Sequence, residues 1–188
     1  IDGEAGVGYI MREGFDLPPL MFTRDEIVAL VAGARMVRAF GGAAMARAAD
    51  EALVKIGAVL PDSERDRIAR TEIHTPMWVV SDADREAIDL IERAVEKRQV
   101  LSLDYNDEAG RGSARDIRPL GLWFWGKVWT LIAWCEMRDD FRAFRIDRIS
   151  AVTAAGRSFK PERGKLLVDY YRSVERSETF GTDRSSRG

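Results

Sequence analysis

The sequence has almost no sulfur or imidazole chemistry to draw on: its single cysteine is Cys135 and its single histidine is His74. One thiol cannot close a disulfide within the chain, and one imidazole beside one thiol leaves no Cys/His set for a zinc site. Net charge is also missing. Lysine plus arginine total 29 against 31 acidic residues, a formal charge of -2, so nothing pulls the whole molecule toward nucleic acid or a membrane, and any anion-binding surface has to be local. No apolar run approaches the roughly 20 residues of a membrane span, because a charged residue interrupts each one. The opening segment carries Asp2, Glu4 and Glu13 where a signal peptide needs a basic start and an apolar run. Neither GxxxxGK[ST] nor GxGxxG occurs, so nucleotide hydrolysis and dinucleotide chemistry lack their usual supports. These absences point to a reducing, cytoplasmic setting, no membrane, no metal and no cofactor. The chain begins at Ile1 rather than Met and is read as a fragment.

What is present is ordinary globular material, 46% hydrophobic and 32% charged over 188 residues, enough for one domain or two small ones. The first segment, GVGYIMREGFDLPPL, reads as a short strand or hairpin followed by an extended linker. Thr23-x-x-Glu26 has capping-box spacing, and Ile27, Leu30, Val31, Ala34 and Val37 recur at helical intervals up to Gly41-Gly42. A second helix is expected from about Ala43 to Leu60, stopped by Pro61, with a short third over DSERDRIAR. TEIHTPMWVV reads as extended, and Ser81 opens a further helix from Asp82 to Arg98.

From Val100 the period changes. VLSLDYND, ARDIRPLGLWFW, KVWTLIAWCEM, FRAFRI and AVTAA are short, rich in β-branched and aromatic residues, and separated by turn formers. Such strands predict a small barrel, whose closure removes exposed edges. Beyond Phe159-Lys160-Pro161 a last helix carries Leu166, Leu167, Tyr170, Tyr171 and Val174, and the tail TDRSSRG is expected to be disordered.

The chemistry concentrates in RAFRIDRI, where Arg142, Arg145 and Arg148 recur every three residues. With Phe144 and Ile146 on a core face, Arg145 falls on the opposite face, and a bend after Asp147 would let Arg148 join it. Arg115 and Arg118 on a neighbouring strand could extend the patch. Planar guanidinium groups bind phosphate or carboxylate bidentately, so convergent arginines predict an anionic ligand. The plainer possibility is surface ion pairing with Asp116, Asp139, Asp140 and Asp147. Trp123, Phe124, Trp125, Trp129 and Trp134 could stack bases, but small barrels also fill their cores with such rings. His74 has no nucleophile or acidic partner motif beside it, and Cys135 sits in an apolar strand, so neither marks a catalytic centre.

The segment WTLIAWCEMRDDFRAFRIDRISAV, with RDIRPLGL upstream, resembles the WYL domain, and the opening GVGYIMREGFDLPPLMFTRDEIVALVAGARM resembles the end of a winged helix-turn-helix and its linker in DeoR/YafY-like regulators. That resemblance implies an α+β protein: the end of the wing and linker over 1–20, a helical linker region over 21–80, a WYL domain of one helix plus a small Sm/SH3-like β-barrel over 81–160, and a C-terminal helix with its tail over 161–188. It implies a regulator and not an enzyme, lacking most of its N-terminal winged helix. An anionic effector, single-stranded DNA or a nucleotide, would bind the barrel and modulate promoter DNA binding in the full-length protein, which is expected to be a homodimer. Carried over position by position, Trp129, Thr130 and Leu131 occupy the name motif, Tyr105 the first-strand tyrosine, Arg115 the arginine before the proline-glycine turn, and Arg142, Arg145 and Arg148 the arginine ladder. The ligand-binding set is therefore Tyr105, Arg115, Trp129, Thr130, Arg142, Arg145 and Arg148. Thr130 departs from the family, which usually has tyrosine there. The alternative is a dimerisation or interaction module that binds no ligand.

Overall fold

The computed structural model describes residues 21–69, 80–126 and 128–185. The expected wing and linker over residues 1–20, His74 and most of the extended segment around it lie outside the described residues. The chain is α+β, with helices first, an antiparallel sheet next and a helix last.

Helix α1 spans Arg24–Phe40, and its start is set as the spacing predicts: Thr23 N donates to Glu26 Oε2 at 2.6 Å while Glu26 N donates to Thr23 Oγ1 at 3.4 Å. It stops at Gly41, and α2 (Ala43–Val59) begins two residues later and ends before Pro61. Helix α3 covers Asp62–Ala69. Helix α4 (Asp82–Lys97) is capped by Ser81, whose Oγ accepts from Asp84 N at 3.1 Å, and it closes on Arg98 in the left-handed region at φ 52°.

The strands are β1 (Gln99–Asn106), β2 (Gly112–Phe124), β3 (Trp129–Cys135), β4 (Asp140–Arg145) and β5 (Ile149–Ser158), paired antiparallel in the order β4-β3-β2-β1-β5. The expected closed barrel is not formed. A 3-10 turn at Ile146–Arg148 carries the chain from one edge of the sheet to the other, and β4 and β5 remain its two edges. The sheet is nevertheless strongly curved: the rings of Tyr105 on β1 and Phe144 on β4 meet at 5.1 Å across the two strands that separate them. A register shift between Pro119 and Gly121 bends β2, and it falls where proline has no N–H to give the ladder.

Helix α4 fills the hollow of this sheet. Ile88, Ile91 and Ala94 are fully buried against Leu101, Leu103, Ile117, Leu131, Ala133 and Cys135. Burying an aliphatic side chain of this size contributes about 1.5–3 kcal/mol, so this cluster is the main cohesive element. Helix α5 (Leu167–Ser185) covers the other face, where Tyr170 meets Trp123 at 6.4 Å and Phe141 at 5.7 Å. It is helical as far as Ser185, into the segment expected to be a disordered tail. No helix of the described residues is long and apolar enough to cross a membrane.

Candidate functional site

Strand register decides which side chains share a face, because neighbouring residues point to opposite sides. On β1 and β2 the pairs Leu101–Ile117, Leu103–Arg115 and Tyr105–Ser113 occupy the hollow face. On β3 and β4 the pairs Leu131–Phe144 and Ala133–Arg142 occupy that same face. The hollow is therefore apolar where α4 enters it and polar at the far rim. There it opens into a cleft of ≈ 710 Å³ lined by Tyr105, Asp107, Arg111, Arg115, Arg138 and Arg142 among others.

Two hairpin loops build the rim. In an antiparallel meander the β1–β2 and β3–β4 loops emerge at the same end, so Arg111 and Arg138 are delivered beside Arg115 and Arg142. Gly110 at φ 74° makes the first turn, and Asp139 at φ 49° makes the second. Asp107 organises the first loop, accepting from Ala109 N and Arg111 N at 2.9 Å and from Arg111 Nε at 2.7 Å. The Arg111 guanidinium holds the Asp107 carboxyl below its ordinary range. Arg115 donates to two neutral acceptors, Ser113 Oγ at 3.2 Å and Met137 Sδ at 3.4 Å. Among the described residues neither Arg115 nor Arg138 is joined to a carboxylate. Arg142 has only a loose pair with Asp140 at 3.4 Å, both side chains more than half exposed. Four guanidiniums thus face a cleft whose lining contains one carboxylate, already committed to Arg111.

The remaining residues of the predicted set lie elsewhere. Arg145, three positions beyond Arg142, is on the other face of β4, directly opposite Thr130, which in turn pairs with Trp123. It is held bidentately by Asp147, Nε to Oδ1 at 3.0 Å and Nη2 to Oδ2 at 2.6 Å, a contact that lowers the Asp147 carboxyl and raises the guanidinium. Arg148 reaches Glu108 at 3.5 Å. Thr130 is buried, 9% exposed. Trp129 points its indole N–H at Phe40 O, 2.7 Å away, and packs on Phe124 at 5.0 Å. Arg118 belongs to a separate network on the outer face, donating to Glu136 at 2.9 Å and Glu162 at 3.0 Å. Of the predicted residues, Tyr105, Arg115 and Arg142 share the cleft, while Trp129, Thr130, Arg145 and Arg148 are not in its lining.

Arg111 and Arg138 were not among the predicted site residues, although topology alone places both loops at one end. The aromatic residues also divide by position. Trp134 is under Phe141, Trp123 under α5 and Phe124 against α1, while Trp125 is 71% exposed at the tip of the β2–β3 hairpin.

The class is thus a small α+β fold: a curved antiparallel sheet filled by one helix, with a cationic cleft at its open rim. Residues 86–154, from the first turns of α4 into β5, match the family model described as the WYL domain, so a WYL domain is present here. Among solved structures, Proteasome accessory factor B/C (PafBC) of Arthrobacter aurescens is similar at 23% identity and a TM-score of 0.41. The similarity covers 76% of this chain and 22% of that one, so the chain spans about a fifth of the length of that protein.

Proposed function

We propose that this chain is the effector-sensing part of a transcription regulator, and that the rim cleft binds a phosphate-bearing anion, a nucleotide or a short stretch of single-stranded nucleic acid. The observation that carries the reading is the charge imbalance of the cleft: Arg115, Arg138 and Arg142 face it without a tightly bound acid. Guanidinium forks bind phosphate oxygens in pairs, and Tyr105 offers a ring and a hydroxyl beside them. The WYL match supports a regulatory rather than catalytic role. In the full-length protein, ligand occupancy would alter promoter engagement by a winged helix-turn-helix of the DeoR/YafY type, in a homodimer.

The test is titration of the chain with nucleoside phosphates and a short single-stranded oligonucleotide at several salt concentrations. For a strand, log affinity should fall with log salt by roughly 0.7 per phosphate contacted, and Arg115→Ala with Arg142→Ala should flatten that slope. Binding that ignores both substitutions would remove the cleft from consideration.

A second reading rests on its own observation. Arg142, Arg145 and Arg148 each have an acid within reach, Asp140, Asp147 and Glu108, as an interaction module with no ligand would require. That module would self-associate with no change in melting temperature on adding any phosphate compound, whereas a ligand of the folded state raises it.

A further inference from the structure

The α1–α2 pair is an arm held at its tip. The buried core of the sheet contains no residue of α1 or α2, and from this arm only the half-buried Phe40 packs against it. The long-range hydrogen bonds tying the arm to the sheet unit converge on the turn between the two helices. Arg85 of α4 donates Nη1 to Gly41 O at 2.6 Å and to Arg38 O at 3.2 Å, and Nη2 to Ala39 O at 2.7 Å. One turn along α4, both carboxylate oxygens of Asp89 accept from Ala44 N, at 2.9 and 3.2 Å. Trp129 on β3 adds its indole N–H to Phe40 O at 2.7 Å, with the rings of Phe40, Phe124 and Trp129 in sequence at 4.9 and 5.0 Å, each pair tilted by 40°.

The signs of these contacts are matched to helix polarity. The last turn of a helix presents unpaired carbonyls and partial negative charge, and Arg85 meets those of α1. The first turn presents unpaired N–H groups and partial positive charge, and Asp89 meets that of α2. Arg85 and Asp89 are buried, 9% and 8% exposed, so their charges are satisfied by the arm and by little else. Gly42 is required for the approach, since a Cβ there would collide with the Asp89 carboxylate.

We propose that the Gly41-Gly42 tip is a polar hinge: Arg85, Asp89 and Trp129 fix the direction of the α1–α2 arm relative to the sheet, and the arm opens as a unit when these contacts break. Trp129, predicted from the sequence to bind ligand, is by this reading a positioning residue between sheet and arm. The inference rests on the joint itself and holds whether or not the rim cleft binds an anion.

Native-state amide hydrogen exchange on the intact chain tests it. In the wild-type protein the α1 and α2 amides should exchange through an opening separate from that of β1, β2 and β3. Arg85→Met should lower arm protection by about 100-fold with sheet amides unchanged, and Trp129→Phe, which deletes the indole N–H and trims the ring that packs on the sheet core, should lower arm protection by about tenfold and sheet protection by less. Gly42→Ala should act in the same direction by displacing Asp89. A single opening shared by arm and sheet in the wild type, or equal loss of protection in both for Trp129→Phe, overturns the proposal. So does arm protection that none of these substitutions changes.

Discussion

The two ends of the hollow sheet are built from the same strands and could hardly differ more. At one end α4 inserts Ile88, Ile91 and Ala94 among Leu101, Leu103 and Ile117, and all of these are fully buried. At the other, the residues two and four places along β1 and β2 are Tyr105, Arg115 and Ser113, and the hollow opens to solvent. The closed end is where cohesion comes from, and the open end is free to carry charge because it contributes little to that cohesion. Substitutions should therefore separate into those that change stability and those that change binding.

The largest effect belongs at the closed end. Ile91→Ala should lower unfolding free energy by about 2–4 kcal/mol in urea denaturation, through lost burial and a residual cavity. Affinity for nucleotide in the molecules that remain folded should not move. A loss of less than 1 kcal/mol would mean that α4 is not the plug of the sheet.

Next in size is the acid response of the outer-face network. Glu136 receives two hydrogen bonds from Arg157, at 2.6 and 3.1 Å, and one from Arg118 at 2.9 Å, and its carboxyl is pulled from the ordinary 4.5 down to about 2. A carboxyl whose folded value is depressed contributes stability that is fully present above its unfolded value. That stability drains away as pH falls from about 4.5 toward 2. Solvent around the half-exposed Arg157 screens the pair, so the contribution is about 1–2 kcal/mol. The stability difference between wild type and Glu136→Gln, followed by urea melts from pH 7 to pH 2.5, should shrink across that window. A difference that stays constant with pH would show that the charge on Glu136 is not what holds the network.

At the open rim the signature is reversed. Arg115→Ala and Arg142→Ala should each leave stability within about 0.5 kcal/mol, because both are surface positions outside the core. Each should weaken binding of a nucleoside phosphate about tenfold or more, as loss of a charged hydrogen bond does. Isothermal titration and a thermal melt on the same samples separate the two quantities, and a variant that melts early while binding normally would invert the comparison.

The sequence was most readable where a local rule has a local cause. The Thr23 and Ser81 caps, the stop before Pro61 and the change of period after α4 all appear where spacing places them, since a cap or an alternation needs only its own neighbours. The barrel was not readable, because closure depends on whether the edge strands β4 and β5 hydrogen-bond to each other across the turn at Ile146–Arg148, which strand length and composition do not specify. The arm joint was equally hidden. Arg85 and Asp89, one turn apart on a charged helix, look like a solvated ion pair in sequence, and their actual partners are backbone groups of residues 38–44, which no side-chain pattern marks. Arg111 and Arg138 were within reach of topology but sit in loops, where charge is the default.

The arginine ladder shows most clearly why spacing alone misleads. A repeat of three is nearly a helical period, but on a strand it moves each successive residue to the opposite face. Arg142 accordingly looks into the hollow and Arg145 looks out beside Thr130. This gives the smallest prediction and the sharpest. Arg145 is 41% exposed and already engaged by Asp147, a solvent-screened surface pair of the kind that adds little to stability. Arg145→Ala should therefore change the melt marginally. It should also leave nucleotide affinity within about twofold of wild type, well short of the roughly tenfold loss expected for Arg142→Ala. The two residues share a strand, a charge and a motif, and differ only in the face they occupy. Equal losses of affinity from both would mean that the ligand wraps the β4 edge and reaches Arg145 after displacing Asp147, and the binding surface would then be the edge strand rather than the hollow.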